Sequence, residues 1–385
     1  MSRPIPPKGV LRRLREGVVI PAHPLALNSQ RKLDERRQRA LTLYYLSAGA
    51  GGIAVGVHTT QFKVHDPQVG LYRPLLQIAS EAVDSCRTLT GGEVIKVAGV
   101  VGKTERAVEE AKIASQMGYH AALVSMPKGL GMGEMVEHLK AISREIAVFG
   151  FYLQPAVGGI FLPSSFWRRA AEEVENLVAI KVAPFNRYYT LDVVRGIAEA
   201  GRAGEVALYT GNDDSIVQDL VTPFSTRVKG ETITVRIVGG LLGQWAYWTE
   251  RAVGLFNLIK GLPKDSVPRE VLSLGTQITD ANGAVFDASN SFSGVIPGTM
   301  EVLRRSGLVE SRLTLDPQED LSPGQGEEID RIYVAYPHLR DDPFVEENLG
   351  VWLEGGCSAK GRREVSLDQV RAWVGDGDPP RIRKH

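Results

Sequence analysis

From residue 17 to about 260, short apolar runs rich in β-branched residues alternate with longer stretches whose apolar positions recur every three or four residues. That alternation predicts βαβ units around a parallel sheet. Eight runs qualify as strands, at residues 18–21, 52–57, 94–100, 121–125, 147–152, 177–183, 206–209 and 234–238. Each is almost continuously apolar, as expected of strands covered on both faces. The helical half of the unit is clearest after the third strand. There Ala107, Ala111, Ala114 and Met117 form a stripe, Glu105, Arg106, Glu109, Glu110 and Lys112 stand between them, and Gly118 supplies a C-terminal stop. Eight such units predict an α/β fold of the (β/α)8 TIM-barrel type.

Between the seventh and eighth strands, residues 221–236 alternate around Lys229-Gly230, which predicts a hairpin inserted ahead of the last strand. Beyond residue 260 the strand–helix alternation stops. Helix-like segments such as 298–306 follow, separated by Pro, Gly and Asp clusters. The expected organisation is a barrel over 1–260 carrying the active site, a helical appendage over 261–340, and an extension over 341–385. The polar stretch 355–385 is expected to bury little and to be mobile.

Composition narrows the partners. Lys plus Arg and Asp plus Glu are both 45, so no net field draws the chain to nucleic acid or acidic lipid, and a small molecule is the expected partner. No run of 18 apolar residues crosses a membrane, and the basic, proline-containing N-terminus lacks the apolar core of a signal sequence. The two cysteines, Cys86 and Cys357, fit neither metal-ligand spacing nor a disulfide framework, and suggest a reducing, cytoplasmic setting.

In a barrel the chemistry sits at the C-terminal ends of the strands. Lys181 follows Leu177-Val-Ala-Ile180 and precedes Val182-Ala183, an apolar setting that lowers an ammonium pKa toward the neutral nucleophile. A lysine snorkelling from a strand end is the plainer alternative. Tyr152 ends the fifth strand and has the chemistry for proton transfer, or for a core role with its hydroxyl satisfied. The second strand runs into His58, Thr59, Thr60 and Gln61, whose hydroxyls and imidazole suit a carboxylate, unless they form only a turn.

Taken in order, these motifs resemble those of the dihydrodipicolinate synthase and N-acetylneuraminate lyase family of class I aldolases. Val55-Gly-Val-His-Thr-Thr-Gln61 is similar to the V-G-G-S/T-T-G-E loop, Tyr152-Leu-Gln-Pro155 to Y-N-x-P, and Ala179-Ile-Lys-Val-Ala183 to the G-I-K strand. Gly211-Asn-Asp-Asp214 and Gly240-Leu-Leu-Gly243 resemble two later turns. The resemblance implies Lys181 as Schiff-base nucleophile, Tyr152 as acid/base and Thr59 as relay. It implies His58, Thr60, Gln61 and Gly240 as substrate contacts, without metal or cofactor, in a dimer or tetramer.

Departures bear on the reaction. Val157 stands where the synthases carry a carboxylate-binding arginine, which argues against dihydrodipicolinate synthesis. Lys128-Gly129 replaces a pair of tyrosines, and Gln61 a glutamate. Trp245 and Trp248 suggest a bulkier or partly apolar substrate if they reach the mouth, and plain core if they do not. The expected activity is a lyase acting on pyruvate or another 2-keto acid. The rivals are a keto-deoxy sugar acid dehydratase using the same lysine, a metal-dependent barrel recruiting His23, His58 and His65, and a barrel that binds a keto acid without turnover.

Overall fold

The computed structural model describes residues 4–375. Its strands are β1 (Val19–Pro21), β2 (Gly52–Val55), β3 (Ile95–Val100), β4 (Ala121–Ser125), β5 (Ala147–Leu153), β6 (Leu177–Ala183), β7 (Ala207–Thr210), β8 (Pro223–Val228) and β9 (Glu231–Leu242). All but β8 are parallel and run in the order β1-β9-β7-β6-β5-β4-β3-β2, and a parallel bridge between Ala22 and Ala54 closes the ring. The eight barrel strands are the eight read from the sequence. The last one is longer than expected, because β9 begins in the hairpin and ends in the barrel. Lys229 (φ 51°) and Gly230 (φ 88°) make the two-residue turn from β8, with both central residues left-handed as such a hairpin requires.

Apolar side chains divide into two shells. Ile20, Val97, Leu123, Phe149, Ala179 and Tyr209 fill the barrel, whereas Val55, Ala98, Val148, Ile180 and Leu208 face the surrounding helices. Alternation along each strand produces this division, since successive side chains point to opposite faces. The helix Lys8–Glu16 lies across the N-terminal end, where Val10 and Leu14 join the inner shell and Tyr209 Oη donates to the Leu14 carbonyl at 2.9 Å. With that end plugged, the C-terminal mouth is left for a ligand.

The chain after residue 260 is helical, as expected, through Arg269–Val285, Val295–Arg305, Gln325–Ala335 and Asp342–Leu353. Two expectations for its end need correction. First, residues 355–375 bury little, as expected, with Val365 and Val370 buried, but the segment is docked: the helix Leu367–Val374 lies on Arg269–Val285, and Trp373 stacks on His338 at 5.2 Å. A few apolar residues on one face suffice to dock an otherwise polar segment. The rest of the expected mobile tail, residues 376–385, lies outside the described residues.

Second, Cys86 and Cys357 form a disulfide, with their Cα atoms 5.8 Å apart. Their separation of 271 residues carried no spatial information. Cys86 ends the helix Tyr72–Ser85, and Cys357 follows Asp342–Leu353, which packs on Glu35–Ala48. At that contact Trp352 Nε1 donates to Ser47 Oγ at 3.0 Å. The cysteines therefore give no support to a reducing compartment. Among the described residues no helix is long and apolar enough to cross a membrane.

The disulfide ties the C-terminal extension to the barrel wall and restricts the unfolded chain. Reduction, or Cys357→Ser, is expected to lower unfolding free energy by about 2–4 kcal/mol. Denaturant unfolding with and without reductant measures this, and identical midpoints would show that the bond does not stabilise the fold.

Candidate active site

Register decides which residues enter the barrel mouth. Phe151 on β5 pairs with Lys181 on β6, and Lys181 with Tyr209 on β7. Ala179, Lys181 and Ala183 point inward, with Ile180 and Val182 outward. The Lys181 amine therefore emerges inside the barrel near the end of its strand, 4.6 Å from the centre of the Phe151 ring. Gly211, just after β7, makes room for it, since a Cβ there would lie 2.6 Å from Lys181 Cε.

Lys181 has no hydrogen-bond or ion-pair partner among the described residues. Burial disfavours its charged form and pulls the amine down to about 8, and the negative charge of Asp213 opposes that shift. Asp213 is itself buried, which raises its carboxyl to about 7 despite the Gln244 N–H donated to its Oδ1 at 2.8 Å and the pull of Lys181. Behind it, Asp219 accepts from Thr210 Oγ1, Asn212 Nδ2 and Arg187, and Asn212 Oδ1 accepts from the Phe185 amide. These bonds fix the turn that carries Asp213. The sequence reading noted this turn but gave Asp213 no role. It stands in the turn just after β7, among polar residues that follow a strand end as His58 and Thr59 follow β2.

His58 and Thr59 line the same cavity, at the start of the turn after β2. Neither side chain has a hydrogen-bond partner among the described residues, so both are available to a ligand. Burial first, and then the charge of Lys181, lower the His58 imidazole to about 4, so the ring is neutral near pH 7. Thr60 sits beside them in a different role: its hydroxyl donates to the His23 carbonyl at 2.6 Å and accepts the Gly56 and Val57 amides. Gln61 accepts the Leu315 amide at 2.7 Å, while its buried Nε2 has no partner among the described residues. Both shape the loop from behind the cavity rather than lining it.

Two further expected site residues lie elsewhere. Tyr152 points out of the barrel into the helix layer, where it stacks on Tyr189 at 5.9 Å and its hydroxyl accepts the Leu162 amide at 3.1 Å. Burial raises that phenol to about 12, which keeps it protonated. The inward position at this end of β5 belongs to Phe151. A one-residue difference in register exchanges the two faces of a strand, and the motif alone does not fix which residue faces in. Gly240 lies within β9, paired with Val19 and Thr210, and a Cβ there would meet the Trp245 ring at 2.7 Å. Gly243, three residues on, lines the cavity, as Gly211 does.

Trp245 and Trp248 are core, each 2 % exposed and away from Lys181. Of the three histidines proposed as alternative metal ligands, His23 and His65 are engaged separately, away from His58 in the cavity. His23 bonds to Thr42 and Pro24, and His65 lies between Glu110 Oε1 at 3.0 Å and the Gly56 carbonyl at 2.7 Å. Glu110, assigned to the polar face of its helix, is buried for that reason.

The chain adopts the closed (β/α)8 barrel with C-terminal helices. Among solved structures it is similar to the Acinetobacter baumannii dihydrodipicolinate synthase complexed with pyruvate, with a TM-score of 0.65, 16% identity, and 83% of this chain and 98% of that one covered. The Cyanidioschyzon merolae enzyme of the same name, with lysine bound, gives a TM-score of 0.64 at 19% identity over 83% and 98% of the two chains. N-acetylneuraminate lyase from Fusobacterium nucleatum complexed with pyruvate gives 0.63 at 16% over 83% and 97%. At these identities the likeness is one of fold. No protein-family model and no curated protein matches the sequence.

If Tyr152 is a structural residue, Tyr152→Phe removes one buried hydrogen bond and costs about 1 kcal/mol of stability. The Lys181 titration, followed by NMR of labelled lysine, is expected to keep its midpoint. A shift of that midpoint would return Tyr152 to the site.

Proposed function

We propose that this chain is a lyase that forms a Schiff base between Lys181 and a 2-keto acid. The observation that carries the reading is the Lys181 amine itself, buried, unpartnered and lowered to about 8 at the mouth of a barrel. An amine so lowered is neutral in roughly a tenth of molecules at pH 7, a far larger share than at an ordinary lysine. The pyruvate complexes of structures sharing the fold add weight to a keto acid as ligand.

Neutral Lys181 attacks the keto carbon, a carbon–nitrogen bond forms as the carbonyl π bond opens onto oxygen, and one proton passes from the nitrogen to that oxygen to give the carbinolamine. A second proton releases that oxygen as water, leaving an iminium that withdraws electrons from the adjacent carbon. Cleavage of the next carbon–carbon bond, its formation, or loss of a β-hydroxyl all draw on that electron sink. Asp213, near 7, is the group best suited to exchange these protons, because it both accepts and donates at neutral pH. Thr59 and the neutral His58 ring have the donors to hold the substrate carboxylate. Tyr152 has no part in this scheme.

One observation favours a second reading, a barrel that binds a keto acid without turning it over: Phe151, which carries no proton, occupies the inward position beside Lys181. Turnover separates the two readings.

Reduction with borohydride in the presence of pyruvate, then of longer 2-keto acids, is expected to leave a mass increment on the peptide containing Lys181 and none in Lys181→Ala. Absence of an adduct with every keto acid would refute the imine. Trapping with cyanoborohydride should quicken as pH rises through about 8, as Lys181 loses its proton. Because the Asp213 charge favours the ammonium, Asp213→Asn is expected to move that midpoint to lower pH. An unmoved midpoint would remove Asp213 from the scheme.

A further inference from the structure

The walls around Lys181 are aromatic and aliphatic to a degree that a small polar keto acid does not require. Phe151 and Leu153 come from β5, Phe185 from the turn after β6, Phe286 and Phe292 from the connection after the helix Arg269–Val285, and Val295 from the start of the next helix. Besides Lys181, no lysine or arginine lines the cavity among the described residues, and Thr59 is its one hydroxyl. The other polar side chains of the lining are His58, Gln154 and Asp213, and a sugar acid brings more hydroxyls than these can pair while the keto-acid end is also held; an unpaired buried hydroxyl weighs heavily against binding.

The Phe185 and Phe292 rings meet edge to face, 5.5 Å apart. Both residues hold left-handed backbone, at φ 51° and 66°, a conformation that is unfavourable for a bulky side chain. The surroundings enforce it: the Phe185 amide donates to Asn212 Oδ1, and the Phe292 amide to the Asp287 carbonyl, each at 3.0 Å. Two chain segments about a hundred residues apart are therefore held in costly geometry with their rings together over the Lys181 cavity. Phe151, Leu153 and Val157 also border a second, adjoining hollow of about 200 Å³, walled by Met126, Ile160 and Leu162. The apolar lining thus continues away from the amine.

Resting on the Schiff-base reading for the reactive end, we infer that the cavity selects a 2-keto acid bearing an aryl group, whose ring lies among Phe151, Phe185 and Phe292 and extends toward the adjoining hollow. Aromatic rings pack well edge to face, and Val157 in place of a cation leaves that path apolar.

The test is calorimetric binding of phenylpyruvate, pyruvate and 2-keto-3-deoxygluconate to the whole chain without reductant. Phenylpyruvate is expected to bind at least about tenfold more tightly than either of the others, the margin that one well-buried apolar group supplies. Phe292→Ala is expected to narrow that margin by about tenfold. Binding of the sugar acid as tight as that of phenylpyruvate, or no binding of phenylpyruvate, would overturn the inference. The comparison on the unaltered chain decides this even where the variant does not fold. The trapping assay reads the imine separately: tight phenylpyruvate binding without a Lys181 adduct would keep the aryl site and sink the Schiff base. An adduct without aryl preference would do the reverse.

Discussion

An amine enclosed in a barrel without a hydrogen-bond acceptor is costly in its charged form, and the architecture around Lys181 follows from how that cost is handled. Asp213 faces the same cavity and favours the ammonium, as Lys181 favours the carboxylate, yet burial outweighs both attractions and brings the two groups toward titration near neutral pH. A close ion pair would have fixed the charge on the lysine and removed its nucleophilicity. Full isolation would have left nothing to receive its proton. Gly211 keeps the side chain extended by leaving its methylenes room, and the bonds from Arg187 and Asn212 to Asp219 hold the Asp213 turn at a set place.

The same constraint explains how much of the site was legible in the sequence. Lys181 stood out because a lone charge within an apolar strand must serve some purpose, and His58 and Thr59 because polar residues gathered after a strand end. Asp213 obeyed the same rule and was passed over only because its turn was read as shape. Tyr152 departs from the expected place for a different reason. In Phe149-Gly-Phe-Tyr152 both faces of β5 are apolar, so no alternation tells inside from outside, and the family motif supplied a phenol where the register put Phe151. Thr60 and Gln61 were found in the right loop, but their polar atoms hold the loop itself.

What the sequence concealed altogether was contact between distant segments. Eight strands and the hairpin at Lys229-Gly230 are local patterns and were readable as such. The meeting of Cys86 with Cys357, of Trp352 with Ser47, and of Phe185 with Phe292 depends on how the C-terminal helices fold back over the barrel, and no local periodicity encodes that. Polar composition near the end of the chain was a poor guide for the same reason: Val365, Val370 and Trp373 are few, but each has a place in the core or against it.

The C-terminal helices are therefore part of the cavity wall as well as part of the core. Phe292 sits in a loop whose left-handed residues Asp287, Ser291 and Phe292 would relax if released. Asp287 restrains them by accepting the Gly294 amide and the Ser322 hydroxyl, and Gln325 donates to the carbonyls of Val285 and Gly294 at 3.0 Å. The helix beginning at Gln325 thus holds the aromatic rim in position, although it lies outside the (β/α) units. Bonds of this kind make the shape of the mouth depend on docking of the appendage. A barrel folded without it would retain Lys181 and Asp213 but lose Phe286, Phe292 and Val295, opening the amine to water and returning its pKa toward that of an ordinary lysine.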